Sequence, residues 1–130
     1  MEKSSVQVLV VDDDEINILI SRKVLSKYFD NVEFETDSTV ALEKILTKKF
    51  DIVLLDVNMP VMNGFDVVNH VRSQGDIYFK QLPIIANTAS ILPEDIEEIL
   101  SSGFTSYQSK PLRVDVLLRE IDKLMANVDT

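Results

Sequence analysis

Five times along this chain a short apolar run gives way to residues that recur at helical spacing, and that alternation limits the fold more than any single residue does. Residues 6–11 read as a strand. Ile16, Leu19, Ile20 and Val24 follow with the spacing of a helix over about 15–29, and form its expected apolar stripe. Residues 32–36 alternate with period two, as a half-buried strand does. Asp37 or Ser38 can cap a second helix with Ala41, Leu42, Ile45 and Leu46 inward. The run Ile52-Val53-Leu54-Leu55 is a third strand. Gly64 opens a third helix with Phe65, Val68 and Val71 inward. Residues 82–86 form a fourth strand. Pro93-Glu94-Asp95 suits a first helical turn, Ile96, Ile99 and Leu100 give that helix a core face, and Gly103 ends it. Residues 104–109 are a polar fifth strand. Leu117, Ile121, Leu124 and Met125 stripe a last helix. The segment 73–81 reads as a loop whose aromatics serve packing.

Strand–helix alternation implies a parallel sheet with helices on both faces. Strands one, three and four are the most continuously apolar and belong in the centre, while strands two and five carry polar residues and belong at the edges. The expected order is therefore 2-1-3-4-5, the flavodoxin-like (βα)5 doubly wound arrangement. Right-handed crossovers then place helices one and five on one face and two, three and four on the other. A chain of 130 residues fits a single domain over 1–130, with a core of about 6–126 and no effector domain.

In such a sheet the ligand crevice lies at the carboxyl ends of the strands where the order reverses, here between strands one and three. Strand one runs into Asp12-Asp13-Asp14 and strand three into Asp56. Strand four reaches Thr88, and strand five reaches Lys110. Taken singly, each has a plain structural use as a helix start, an N-cap, a strand end or a surface charge. Together they deliver acids, a hydroxyl and an ammonium to one rim. Clustered carboxylates repel, and a hard divalent cation relieves the repulsion; an oxygen-rich, incomplete cage suits Mg²⁺, with Mn²⁺ able to substitute. A carboxylate can accept a phosphoryl group, and Asp56, single and central, is the natural candidate.

The net charge of −9 opposes phosphate neutralisation, so direct nucleic-acid binding is not expected. Cysteine is absent, which excludes disulfides and thiolate metal sites. No apolar stretch approaches the roughly 20 residues of a membrane span, and residues 1–5 lack the apolar region of a signal peptide, so the expected location is cytoplasmic.

The motifs Val10-Val11-Asp12-Asp13-Asp14, Leu54-Leu55-Asp56-Val57-Asn58-Met59-Pro60 with Gly64, Ile85-Ala86-Asn87-Thr88-Ala89, and Tyr107 ahead of Lys110-Pro111 resemble the receiver domain of two-component response regulators, over nearly the whole chain. The resemblance implies that Asp56 accepts phosphate from a phosphohistidine on a histidine kinase or histidine phosphotransfer protein. It implies that Asp13 and Asp56 ligate Mg²⁺ directly, Asn58 through its backbone carbonyl and Asp12 mainly through water. Thr88 and Lys110 would bind the phosphoryl oxygens, and the Lys110–Pro111 peptide would be cis. Thr88 and Tyr107 would be the switch, altering the surface of the fourth helix, fifth strand and fifth helix. A phosphorylation-dependent dimer is compatible with this, and the output partner is unspecified. Wording around Asp13 to Asn17 and Ser109 to Leu112 is similar to receivers of hybrid sensor kinases.

Asn87 departs from the apolar or small residue common at its position. Asn58 and Ser90 occupy positions that tune phosphate lifetime, and neither is acidic, which implies slow self-dephosphorylation. His70 reads as an exposed helix residue. Two other readings compete. Asp12-x-Asp14 after an apolar strand superficially fits a haloacid-dehalogenase-type aspartyl-phosphate hydrolase, which would turn over small phosphoesters. A phosphorylation-independent interaction module would typically lose an acid, the acceptor or the lysine. The receiver itself would catalyse only its own phosphorylation and dephosphorylation.

Overall fold

The computed structural model describes residues 5–110 and 113–128. Strands β1 (Gln7–Val11), β2 (Asn31–Glu35), β3 (Ile52–Asp56), β4 (Ile84–Thr88) and β5 (Ser106–Ser109) alternate with helices α1 (Glu15–Leu25), α2 (Ser38–Thr47), α3 (Gly64–Arg72), α4 (Ile77–Gln81), α5 (Pro93–Ser101) and α6 (Val114–Val128). The sheet order is β2-β1-β3-β4-β5 with every pairing parallel, as the strand polarity predicts. The fourth and fifth helices of the sequence reading are α5 and α6, because the segment expected to be a loop contains α4.

Two apolar layers sandwich the sheet. Leu9, Val11, Val53, Leu55, Ile84 and Ala86 pack under α2, α3 and α5 through Ala41, Ile45, Val67, Val68, Val71 and Ile99. Val8, Val10, Ile52, Leu54 and Ile85 pack under α1 and α6 through Ile18, Leu25, Leu117 and Ile121. The facial assignment of the helices therefore holds. The side chains of Leu124 and Met125 lie outside the described residues.

The inward face of α1 does not hold. Ile18, Ser21 and Leu25 are its buried residues, while Ile16, Leu19 and Ile20 are 68%, 64% and 49% exposed. This helix carries two apolar stripes, and the one facing the sheet includes a serine, so apolar content alone selects the wrong stripe. α1 also ends at Leu25, where Ser26 bonds back to Arg22 and Val24, short of the expected limit. Leu100 of α5, expected inward, is 46% exposed.

α4 is too short to show a periodicity. Asp76 caps it by accepting from the Tyr78 amide, and its anchor is tertiary. The Tyr78 hydroxyl accepts from Phe50 N at 2.7 Å and donates to Phe50 O at 3.0 Å.

Candidate functional site

Strand register brings the carboxyl ends level. Val11 pairs with Leu55, Asp56 with Asn87, and Thr88 with Ser109. The residues that follow or end these strands therefore meet at one rim: Asp12, Asp56, Thr88 and Lys110.

Asp12 is 3% and Asp56 2% exposed. Asp12 accepts from the Asp14 amide at 2.9 Å and from Asn17 Nδ2 at 3.3 Å. Asp14 itself is the N-cap of α1 and accepts from Ile16 and Asn17, so its carboxylate is committed to the helix. Asp56 Oδ1 accepts from the Asn58 amide at 3.2 Å, and Oδ2 accepts from Lys110 Nζ at 3.0 Å. Lys110 Nζ also lies 3.6 Å from Asp12 Oδ2. The Lys110 backbone amide is held by Thr88 O at 2.8 Å. Asp13 is exposed at the mouth, and Asp12, Asp13 and Asp56 each place a carboxylate oxygen within 4.8 Å of the others. Pro111 lies outside the described residues.

The loop beyond Asp56 is closed back on the strand. Gly64 N donates to Val57 O at 2.9 Å, and Val57 N donates to Asn87 O at 3.3 Å. Within it, Met62 N donates to Pro60 O at 2.7 Å, which turns the chain through Val61 at φ +68°. A β-branched residue in that region is strained. The side chain of Val61 is fully in solvent, so no local packing requires valine there.

Charge in the site is unbalanced. Burial pushes the Asp56 carboxyl above its ordinary range; Lys110 opposes this through its hydrogen bond and charge, and Asp12 adds to it. At Lys110 burial acts downward, but the Asp56 hydrogen bond and the charges of Asp56 and Asp12 outweigh it and hold the ammonium above its usual range. The two shifts differ in origin: loss of solvation dominates at Asp56, whereas the neighbouring carboxylates dominate at Lys110.

A carboxyl with a raised folded pKa favours folding below its unfolded value, near 3.9, and costs stability as pH climbs through the folded value. Asp56→Asn is therefore expected to melt higher than the wild type at neutral pH in metal-free buffer, with the gap closing by about pH 4. Thermal melts of both proteins across this range check it, and an Asn variant that melts lower at pH 7 contradicts it.

The donor set suits a hard cation. Three carboxylates in mutual reach with a partly open mouth fit the oxygen coordination and retained waters of Mg²⁺, and offer nothing to soft metals. The sequence model of the response regulator receiver domain family matches residues 8–122. The chain belongs to that family. The receiver domain is 33% identical over 131 aligned residues to the aerobic respiration control sensor protein ArcB of Escherichia coli K12, covering 99% of this chain and 16% of that protein. It thus spans a small part of that relative. Chemotaxis response regulator CheY4 of Vibrio cholerae superposes with a TM-score of 0.77 at 34% identity, covering 92% of this chain and 98% of that one. The receiver domain of sensor histidine kinase PA1611 from Pseudomonas aeruginosa PAO1 superposes at 0.81 with 26% identity, covering 92% of this chain and 97% of that one; that structure has a magnesium ion coordinated in its active site cleft.

The class of function is thus two-component signalling, in which receiver domains work with histidine kinases or phosphotransfer proteins. No helix among the described residues is long and apolar enough to cross a membrane. The structure assembles Asp12, Asp13, Asp56 and Lys110 as the sequence predicts. Thr88 is buried at the end of β4. The register pairs Tyr107 with Ala86, so both lie on the Thr88 side of the sheet, and Tyr107 is 38% exposed. His70 is exposed. Missing from the sequence reading were Asn17, whose amide holds Asp12, and the Ser90–Asp95 pair beside Thr88. The signal for Asn17 was its spacing, five residues after Asp12, with a cap at Asp14 fixing the helix start between them.

Proposed function

We propose that the receiver domain is a phosphoacceptor switch in which Asp56 takes a phosphoryl group from a phosphohistidine. A carboxylate oxygen of Asp56 forms the new P–O bond as the P–N bond to the imidazole breaks, and the imidazole nitrogen leaves with the electron pair. The observation that carries this reading is the buried Asp56 carboxylate held by Lys110 at 3.0 Å within a cluster of acids. Asp12, Asp13, Asp56 and the Asn58 carbonyl would hold Mg²⁺, which when bound supplies positive charge against the carboxylates and the incoming phosphoryl oxygens. Lys110 supplies a fixed positive charge from the opposite side. Thr88 donates a hydrogen bond to a phosphoryl oxygen, and Tyr107 follows Thr88 inward, altering the surface of α5, β5 and α6.

Exposed Ile16, Leu19 and Ile20 form an apolar patch on α1 close to Asp13, which suits docking of a histidine kinase or phosphotransfer partner. The engagement of Asp14 as a helix cap counts against a hydrolase that needs that acid free. A single cytoplasmic receiver, alone or within a hybrid kinase, is the setting we assign.

With Mg²⁺ and acetyl phosphate, intact-mass spectrometry should show one phosphoryl group added, lost in Asp56→Asn and in EDTA. Label that persists in Asp56→Asn removes the assignment. Lys110→Ala should still accept phosphate yet lose the phosphorylation-induced NMR shifts at α5.

A further inference from the structure

The Thr88 hydroxyl is already engaged. It donates to Ser90 O at 3.3 Å and accepts from Ser90 N at 3.1 Å. The Ser90 hydroxyl donates in turn to the Asp95 carboxylate and accepts from Leu92 N at 3.5 Å. Leu92 is the N-cap of α5 and offers no side-chain cap. In an ordinary capping box the acid at the third helical position reaches back to the N-cap amide itself. Here Asp95 holds that position, and the serine hydroxyl stands between it and the Leu92 amide. The first turn of α5 is therefore secured by the same residue that holds Thr88.

A hydroxyl has one proton to donate. Thr88 cannot donate to Ser90 O and to a phosphoryl oxygen together. We propose that Ser90 and Asp95 are positioning residues, a latch that holds Thr88 in the unphosphorylated arrangement and ties its release to the first turn of α5. This rests on the phosphoacceptor reading and adds to it the residues that set its off state. Coupling is reciprocal. Whatever the latch adds to the stability of the off state must be given up when Thr88 turns to phosphate, so a weakened latch makes the domain easier to phosphorylate. It also frees the α5 turn without phosphate.

Asp95→Ala and Ser90→Ala should each accept phosphate from acetyl phosphate faster than the wild type, by about tenfold if one charge-assisted hydrogen bond is released. In the absence of phosphate, the methyl coupling constants of Thr88 should change from one χ1 rotamer towards an average. Glu94→Ala is the control, because Glu94 is also an acid in the first turn of α5 and interacts as favourably with the helix dipole. It should leave both readouts at wild-type values. The double variant Ser90→Ala/Asp95→Ala should match either single one.

Equal rates and equal Thr88 couplings in Asp95→Ala, Ser90→Ala and Glu94→Ala overturn the latch while leaving the phosphoacceptor reading intact. A wild type that takes no label at Asp56 overturns the phosphoacceptor reading instead. The Thr88 couplings, read without phosphate, still decide the latch in that case.

Discussion

Gly64→Ala should destabilise the receiver domain by about 3 kcal/mol, although alanine is ordinarily the better helix former by about 1 kcal/mol. A Cβ at Gly64 would sit 2.6 Å from Asp56 O, 2.9 Å from Val57 Cα and 3.3 Å from Asp56 C. All three atoms are backbone, so no side-chain rotation relieves the overlap. Either α3 or the end of β3 must move. The end of β3 is where the Asp56 carboxylate is aimed at Lys110, and the Gly64 N to Val57 O bond would be stretched with it. The variant should melt roughly 10 °C lower than the wild type and take up phosphate from acetyl phosphate more slowly. Gly75→Ala is the comparison, since nothing lies within 4 Å of a Cβ there, and it should melt as the wild type does. A Gly64→Ala protein with wild-type melting and phosphorylation would mean that the β3–α3 junction yields without cost.

That junction shows why part of the site was legible in the sequence. Asp12, Asp56 and Thr88 end apolar strands and Lys110 follows the polar fifth one, and a parallel sheet in known order delivers strand ends to one rim. Strand polarity and strand ends are both written locally in the chain. The inner face of α1 is not, because Ile16, Leu19 and Ile20 compete with Ile18 and Leu25, and burial of Ser21 decides for the less apolar stripe. Nor is α4, whose five residues are held by Tyr78 and Phe79 contacts with distant segments. The turn at Val61 was hidden for the opposite reason. A positive φ normally announces itself by glycine or asparagine, and here valine occupies it. The Ser90–Asp95 pair spans five positions across a helix start, a spacing no common capping pattern predicts.

The site also explains its own cost. Asp56 is buried against the preference of its charge, with Asp12 adding to the repulsion. Folding tolerates this because the apolar layers on both faces of the sheet are extensive and Lys110 offsets part of it. A cluster that a cation or a phosphoryl group rearranges is one whose resting charges are not fully neutralised. The raised carboxyl and raised ammonium are thus the electrostatic signature expected of a site that changes partners.

The far end of the sheet is held by a different charge. Arg72, the last residue of α3, donates from Nε to Gly103 O at 2.9 Å, from NH1 to Phe79 O at 2.9 Å and from NH2 to Thr105 Oγ1 at 3.4 Å. It thereby joins α3, α4 and the chain entering β5. Burial holds its guanidinium below its usual pKa, and these three partners are two carbonyls and a hydroxyl. Thr105 Oγ1 in turn accepts from Ile84 N at 3.0 Å, which extends the network to the start of β4. Arg72→Ala should cost about 3 kcal/mol, from two charge-assisted hydrogen bonds and the carbonyls left behind. Arg72→Lys should recover little, because an ammonium cannot span the two carbonyls that the guanidinium fork reaches. Hydrogen exchange should locate the damage: amides of α4 and of β5 should exchange faster while those of β1 and β3 follow only the global loss. Because β5 carries Tyr107 and leads to Lys110, loosening its entry should also blunt the response at α5 to phosphorylation. A variant in which exchange rises uniformly across all five strands would show that Arg72 supports the fold at large rather than the seat of β5.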